Sequence, residues 1–201
     1  MADYTTLLKV KDRLVDLRGD TTYDTLLGDL ITSCSREVDR LTQSQFDLSS
    51  GIVRLFDGKG TKVLILPKPG FQTVSQLRIK VGGESGTWTV VSSSDYYLDP
   101  ATRPAGEPAR WITLAASPAS VSRFDTGKRT VEVTGDQGWA TIPPEIATVV
   151  LEEVVQSWRS RGGQRDDPGP TGTSPAPTAW LFSRRSLSVL ETYGYRAPSF
   201  A

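Results

Sequence analysis

The stretch that decides the fold is GWATIPPEIATVVLEEVVQSW, residues 138–158. It begins with a glycine–aromatic turn and a double proline, and the spacing predicts a helix over residues 143–160. Proline is tolerated in a first helical turn, where its missing N–H would have had no partner, and Glu145 suits the positive end of the helix dipole. A surface helix needs only one apolar stripe, but apolar residues surround much of this helix: Ile146, Ala147, Val149, Val150, Leu151, Val154, Val155 and Trp158. Such a helix is either buried wholly inside a monomer or covered on one side by a neighbouring subunit.

Two further helices are predicted before this stretch, over residues 5–18 and 22–45. The first has Thr5 or Thr6 as a cap and Gly19 as a stop signal, and Thr22 can cap the second. The second helix carries the strongest periodic pattern in the chain, formed by Leu27, Leu30, Ile31, Cys34, Val38 and Leu41. The short break between the two helices predicts an antiparallel αα-hairpin. The one cysteine, Cys34, lies in the apolar stripe, so we expect it to be a small buried hydrophobe.

The pattern changes to strand-like alternation across an insertion over residues 52–134. Turn signals such as DGKG, PKPG, GGESG and DTGK separate β-branched and aromatic segments. The predicted strands are Ile52–Phe56, Lys62–Leu66, Val74–Val81, Thr87–Val91, Tyr96–Leu98, Arg110–Leu114 and Thr130–Val133. Because no helix interleaves, we expect an antiparallel sheet and an α+β fold.

The end of the chain differs in composition from the rest. Residues 164–179 are rich in glycine, proline, serine and threonine, which predicts a linker between a domain over residues 1–163 and a last helix and tail over residues 180–201. That last segment is rich in aromatic residues and arginine, which are enriched in interface cores. It either reaches a partner as an arm or folds back on its own subunit as a fourth core helix.

Composition narrows the classes of function. The 201 residues carry 23 basic and 23 acidic side chains, whereas a dedicated nucleic-acid binder usually shows a basic excess. The distribution is uneven: residues 1–48 carry a net charge of −3 and residues 158–201 a net charge of +3. Opposite charges at the two ends are compatible with head-to-tail contact between copies, and equally with solvated faces. The first residues do not predict a signal peptide, and no apolar run is long enough to predict a membrane span.

Motifs for catalysis or cofactor binding are not evident. The chain contains no histidine, which removes Ser-His-Asp systems and His-ligated metal sites. The segment FDGKGTK, residues 56–62, lacks the spacing of a phosphate loop and predicts a hairpin turn instead. The carboxylate pair Asp95 and Asp99 is explained by turns, and Glu152 and Glu153 by solvated charge. We therefore predict no catalytic residue, no metal and no cofactor.

Three segments, taken in order, carry a resemblance to a known family: LLGDLITSCSREVDRLTQSQF, residues 26–46, LILPKPGFQTVSQLRIKVGG, residues 64–83, and VEVTGDQGWATIPPEIATVVLEEVVQSWRSRGG, residues 131–163. They resemble, respectively, the second helix, the strand with a proline corner, and the glycine–aromatic turn with the third helix of the head–tail connector (adaptor, or head-completion) proteins of tailed double-stranded DNA phages. The resemblance implies a small helical bundle, made of an αα-hairpin and a third helix, with a large antiparallel β insertion and a C-terminal arm.

The same resemblance implies a virion role. Proteins of this family form a ring, commonly dodecameric, between the portal and the stopper or tail-completion protein, and double-stranded DNA passes through the lumen without specific binding. The implied location is the capsid vertex, after synthesis in the host cytoplasm. The expected subunit interface is Val150, Val154 and Trp158. The expected portal-docking arm contains Trp180, Phe182, Arg184, Arg185, Tyr193, Tyr195 and Arg196.

A second function from another class remains open at the level of sequence. Four aromatic residues lie on predicted strands or beside them: Trp88, Tyr96, Tyr97 and Trp111. If they share one face, the β region is a non-catalytic module that binds a ligand or glycan. A monomer that binds glycan would support this alternative, and a large closed ring would support the connector.

Overall fold

The computed structural model describes residues 2–116, 121–162 and 182–194 and confirms the α+β fold class. The chain divides into two compact units. The helical unit contains the residues up to Ser44 and those from Ile142 onward, so the two ends of the chain build it together. The β unit contains the residues from Gln45 to Thr141.

The described part of the helical unit contains four α-helices, which pack against one another. Their bounds are α1 Leu7–Arg13, α2 Asp24–Thr42, α3 Pro144–Gly162 and α4 Arg184–Thr192. The helices share one buried apolar core: Val10, Leu14, Leu17, Leu27, Leu30, Ile31, Cys34, Val38, Ile146, Val149, Val150, Val154, Phe182 and Leu190. The prediction that Cys34 is a buried hydrophobe is confirmed, since its side chain is fully buried.

The first predicted helix is shorter than the sequence pattern suggested. The side chain of Thr6 caps α1 by accepting the N–H of Lys9, but α1 ends at Arg13 and a separate 3-10 turn follows over Val15–Leu17. Leu14 and Leu17 are both buried across this turn. Their apolar spacing therefore continues that of α1, and the sequence pattern does not reveal where the helix ends.

The connection between α1 and α2 also differs from the prediction. Thr22 does not cap α2. The helix begins at Asp24 with Tyr23 in the N-cap position and without a side-chain cap, and the Thr22 N–H donates to the Asp20 carboxylate at 2.8 Å. The Lys11 ammonium group donates to the carbonyl of Asp20 at 2.6 Å and pairs with the carboxylate of Asp24. One lysine of α1 therefore fixes the hairpin in place of a side-chain cap.

The seven predicted strands are confirmed, and all of their pairings are antiparallel. Their bounds are β1 Ser49–Gly58, β2 Val63–Ile65, β3 Phe71–Val81, β4 Thr87–Val91, β5 Tyr96–Asp99, β6 Trp111–Leu114 and β7 Gly127–Gln137. In the described part of the unit they form two sheets: sheet A has the order β1-β7-β3-β4, and sheet B has the order β2-β6-β5.

A buried core contains inward-facing side chains of both sheets: Leu64, Leu66, Phe71, Leu77, Ile79, Val91, Tyr96, Ile112, Leu114, Val121, Phe124, Val131 and Val133. The backbone also connects β3 to the segment before β6, since Phe71 and Ala109 exchange two N–H to C=O hydrogen bonds of 3.3 and 2.7 Å. This close approach requires Gly70, which has a φ of +84°, because a Cβ there would lie 2.1 Å from the Ala109 carbonyl oxygen.

We expect Ser183→Ala to destabilise the helical unit by about 1 kcal/mol. The Ser183 hydroxyl oxygen caps α4 by accepting the N–H of Ser186 at 3.0 Å, and alanine leaves that N–H without its partner. Urea unfolding followed by circular dichroism measures the change. Ser188→Ala, an exposed position in the middle of α4, is the control and should be nearly neutral. Equal midpoints for Ser183→Ala and the wild-type chain would contradict the role of this cap.

Candidate functional site

The three residues expected at a subunit interface on α3 do not lie on one exposed surface. Val150 and Val154 are fully buried within the chain. Trp158 is half-buried, and its ring packs edge-on against the ring of Tyr23 with centroids 5.1 Å apart. Val150 and Val154 are therefore core residues, and assigning them to the interface is corrected. A side chain that its own core covers completely has no surface to present to a neighbour.

The opposite side of α3 is the part that the chain leaves accessible. Leu151 and Val155 are half-exposed there, between the exposed charges of Glu152 and Arg159. Together with Arg13 and Gln156 they line a groove of about 440 Å³, which we call the α3 groove. The apolar side chains of α3 therefore lie in two places: some are in the core of the helical unit, and others line the floor of the α3 groove.

Glu153 is the residue of α3 whose environment the sequence reasoning missed. It lies on the buried stripe with Ile146, Val149 and Val150 and is only 3% exposed, so the prediction of a solvated charge is wrong. Burial raises the pKa of its carboxyl group to about 7 from an ordinary value of 4.5. Since desolvation penalises the charged form, the folded chain retains a proton that the unfolded chain loses.

This carboxyl group predicts a specific pH dependence. Because the folded-state pKa is raised, its favourable contribution is complete below about pH 4.5 and is lost as the pH rises through about 7. We expect Glu153→Gln to leave stability nearly unchanged at pH 5 and to increase it at pH 8, by on the order of 2 kcal/mol. Urea melts at the two pH values measure this difference.

Glu152→Gln is the matched control for that experiment, because Glu152 is next to Glu153 in the chain and its side chain is exposed. Its effect should lie within roughly 0.5 kcal/mol at both pH values. A gain for Glu153→Gln of the same size at pH 5 and pH 8 would contradict the buried carboxyl group as its cause.

The residues expected in a docking arm lie in different environments. Phe182 is buried and α4 packs against α2 and α3, whereas Arg184 and Arg185 are exposed. Tyr193 is half-buried, and its hydroxyl donates to the Glu145 carboxylate at 3.4 Å. Trp180, Tyr195 and Arg196 lie outside the described residues. Within the described residues Phe182 thus lies in the core of the helical unit, and docking by the other residues of the arm stays a prediction.

The four aromatic residues considered as a ligand face do not converge. Trp88 lies on the outer face of sheet A, where the cations of Arg78 and Lys80 are 5.5 and 5.2 Å from its ring centroid. Tyr96 points into the core, and its hydroxyl donates to the Val74 carbonyl at 3.2 Å. Burial raises the pKa of the Tyr96 phenol. Neither residue shares a face with the other two aromatics, so a four-residue platform is wrong.

The remaining two aromatics belong to an exposed apolar surface on sheet B. In the strand register Tyr97 pairs with Thr113 and Trp111 with Ile65, which places them on the outer face with Val63. The exposed fractions are 71% for Ile65, 59% for Tyr97, 43% for Val63 and 36% for Trp111. We call these four residues the sheet B patch. A contiguous exposed apolar surface is typical of an interaction site.

None of the described residues forms a group of three or more His, Cys, Asp or Glu side chains that could hold a metal ion. Of the carboxylates Asp95 and Asp99, Asp95 is the buried last residue of a 3-10 turn, and Asp99 accepts a hydrogen bond from the Thr113 hydroxyl. Among the described helices, none has the length and hydropathy needed to cross a bilayer.

Comparison with known proteins gives a likeness of fold. No protein-family model matches the sequence, and no curated protein matches it. A chain of the solved structure "Neck of empty GTA particle computed with C6 symmetry" is similar at a TM-score of 0.53 and 14% identity, over 100% of this chain and 96% of that chain. "Neck of native GTA particle computed with C12 symmetry" is similar at a TM-score of 0.46 and 14% identity, over 100% of this chain and 97% of that one. A chain of "Virion of native gene transfer agent (GTA) particle" is similar at a TM-score of 0.46 and 17% identity, over 89% of this chain and 81% of that chain. Only the first of these similarities is close enough to show that the fold is shared.

Proposed function

We propose that this chain is a structural protein of a phage-like neck, where it forms a ring between the portal and the stopper or tail and extends the DNA channel. The observation that carries the proposal is the similarity in fold to a neck chain, which spans all of this chain and 96% of the other. A twelve-subunit ring, as the family resemblance implies, is compatible with the C6 symmetry of that neck. The zero net charge also suits a conduit through which DNA moves without specific binding.

Two surfaces favour contact between copies. The α3 groove combines the apolar floor of Leu151 and Val155 with Arg13, Glu152 and Arg159 around it. The sheet B patch draws apolar or aromatic side chains from all three strands of its sheet, on a face that also holds Thr113 and Asp99. Interface cores are enriched in apolar and aromatic side chains with polar residues at the rim. We propose that neighbouring subunits cover both surfaces in the ring.

The mass of the assembled species tests the proposed function directly. Purified chain is measured by mass photometry alone and after mixing with a portal ring, and the assemblies are imaged by electron microscopy. A closed ring, formed by the chain alone or on the portal, is the expected result. A species that remains monomeric in both conditions would overturn the connector function.

We expect Ile65→Ser combined with Tyr97→Ser to raise the concentration needed for half-maximal assembly at least tenfold. The two substitutions remove apolar surface from the sheet B patch, and burial of apolar surface is a main favourable contribution to association. The thermal melt should change little, because both side chains are exposed. Val53→Ser with Val90→Ser is the matched control on the outer face of sheet A, where both valines are 56% exposed. Equal assembly defects in the two variants would refute a specific role for this patch.

The glycan-binding alternative keeps one supporting observation. Tyr97 and Trp111 share the outer face of sheet B, and exposed aromatic faces are suited to stacking on a ligand. Isothermal titration with soluble glycans separates the two functions, because a monomer that binds glycan through these two residues would favour the module over the connector. Loss of such binding in Tyr97→Ser, with Trp88→Ser as the control on the other sheet, would identify the face.

For the portal contact we propose the exposed side of α4. Arg184 and Arg185 are exposed at its first turn, whereas the side facing α2 and α3 is buried. In this proposal α4 packs in the core of its own subunit, and its two exposed guanidinium groups contact the partner. Guanidinium groups pair well with carboxylates, so the proposed partner surface is acidic.

A further inference from the structure

We propose that three turns at one end of the β unit contact the phosphate backbone of double-stranded DNA without sequence preference. The turns cover residues 57–62, 82–86 and 122–130, and we call them the basic end. They lie together because β1 and β3 finish where β7 begins in the antiparallel sheet A. The choice of DNA as the occupant rests on the proposed neck function.

The basic end has more basic than acidic side chains, and its acidic side chains hold the turns together. It contains five basic and three acidic side chains. Each carboxylate accepts a hydrogen bond from a backbone N–H of another turn. Asp57 accepts from Arg129 at 2.8 Å, Glu84 from Lys128 at 2.8 Å and Asp125 from Gly82 at 2.9 Å. The Gly82 hydrogen bond holds the pKa of Asp125 below its ordinary value. The carboxylates therefore fasten the three turns to one another.

The basic side chains, in contrast, are available to a partner. Lys59, Lys128 and Arg129 are exposed, and none of the three forms an ion pair with any described residue. Lys62 is exposed, and its ammonium group donates to the Ala116 carbonyl at 3.2 Å. Arg123 pairs with Asp125 at 3.2 Å but has a side chain that is 66% exposed. The basic end accordingly has a local excess of two positive charges, and its carboxylates are held in place by hydrogen bonds from backbone N–H groups.

Backbone contacts hold these turns in a defined arrangement. Gly58 N–H donates to the Thr130 hydroxyl at 3.0 Å, and Gly60 and Thr61 exchange hydrogen bonds of 2.7 and 2.8 Å with Phe124. Arg129 has a φ of +52°, a conformation that non-glycine residues rarely adopt. Strained positions of this kind persist where the surrounding structure fixes them, often at functional sites. The lysine and arginine side chains of the basic end therefore extend from a preformed surface.

The composition of the basic end favours phosphate over a protein partner. Phe124 is the only large apolar residue in the three turns, and it is buried. A protein interface needs an apolar or aromatic anchor at its centre, which this surface does not offer. Phosphate contact requires only positive donors, and it positions DNA without reading its sequence.

The test is a DNA-binding titration with a neutralised variant. Fluorescein-labelled 30-base-pair DNA of random sequence is titrated with the full chain at 50, 100 and 200 mM salt. The variant is Lys59→Gln/Lys128→Gln/Arg129→Asn, in which asparagine suits the positive φ. We expect its Kd at 50 mM salt to rise at least tenfold and its salt slope to fall by roughly 2–3, since each phosphate contact contributes about 0.9.

The control removes three exposed charges from the helical unit: Lys9→Gln/Arg18→Gln/Arg40→Gln. The control chain should bind DNA within about threefold of wild type, because it has the same net charge as the test variant but keeps the basic end intact. Two of its substituted cations, Arg18 and Arg40, pair with Asp12 and Glu37, so its thermal melt is recorded alongside. Equal losses in both variants, or no measurable binding by wild-type chain at 50 mM salt, would overturn the inference. So would a basic-end variant that binds DNA normally but fails to assemble, since that result identifies a protein contact.

Failure of this inference is separable from failure of the neck function. Ring formation is scored independently by mass photometry on the same samples. A chain that forms rings but does not bind DNA through the basic end overturns only the phosphate contact. A chain that binds DNA through the basic end but never forms a ring supports this contact and overturns the connector function.

Discussion

Val154→Asp is expected to destabilise the helical unit by about 3–5 kcal/mol. The Val154 side chain is fully buried on α3, and aspartate would place an unpaired charge in that apolar core. Small domains are stable by only about 5–15 kcal/mol, so this one substitution removes a large share of the total. The variant should melt far below the wild-type chain or accumulate as aggregate.

Circular dichroism during thermal and urea unfolding measures that loss. Glu152→Lys is the first control, because the side chain is exposed and a reversal there should cost within roughly 0.5 kcal/mol. Glu153→Lys cannot serve as a control, since Glu153 is buried. Val155→Asp provides a second control on the half-exposed side of the same helix. If Val154→Asp and Val155→Asp unfolded at the same urea concentration, the two-sided description of α3 would be wrong.

Leu190→Ala is expected to cost about 2–5 kcal/mol, the usual range for removing a buried leucine. Leu190 is fully buried, and α4 packs against α2 and α3. The result decides whether α4 belongs to the folded core of its own subunit in solution. Ser188→Ala, two residues before Leu190 and on the exposed side of α4, is the control and should be nearly neutral.

An arm that orders only on contact with a partner predicts the opposite result. In that case Leu190→Ala would leave the melting temperature of the free chain unchanged and would reduce only its binding to portal rings. The double reversal Arg184→Glu/Arg185→Glu provides the complementary measurement. Both arginines are exposed, so this variant should retain its melting temperature while losing portal binding, if the exposed side of α4 is the contact.

Much of the fold could be predicted from local sequence signals. The strand Thr87–Val91 was predicted with its observed bounds, and a helix beginning at the double proline was predicted within one residue of Pro144. Such signals are local because capping, proline and alternation act through neighbouring residues. β7 was underestimated at both ends: the prediction was Thr130–Val133, but the strand covers Gly127–Gln137. Its extra length comes from pairing with β1 on one side and β3 on the other, which no local pattern encodes.

The candidate site was predicted less completely, because the missing information is long-range. Sequence by itself determined that α3 has more apolar surface than one stripe can use and that the chain carries no histidine for catalysis. Only the tertiary structure decided which apolar residues the chain covers, sending Val150 and Val154 to the core and leaving Leu151 and Val155 at the α3 groove. It also buried Glu153 and placed Ile65 and Tyr97 on one exposed face. Hydrophobic periodicity records how apolar a position is, whereas burial depends on which distant element packs against it, and that is settled only when the whole chain folds.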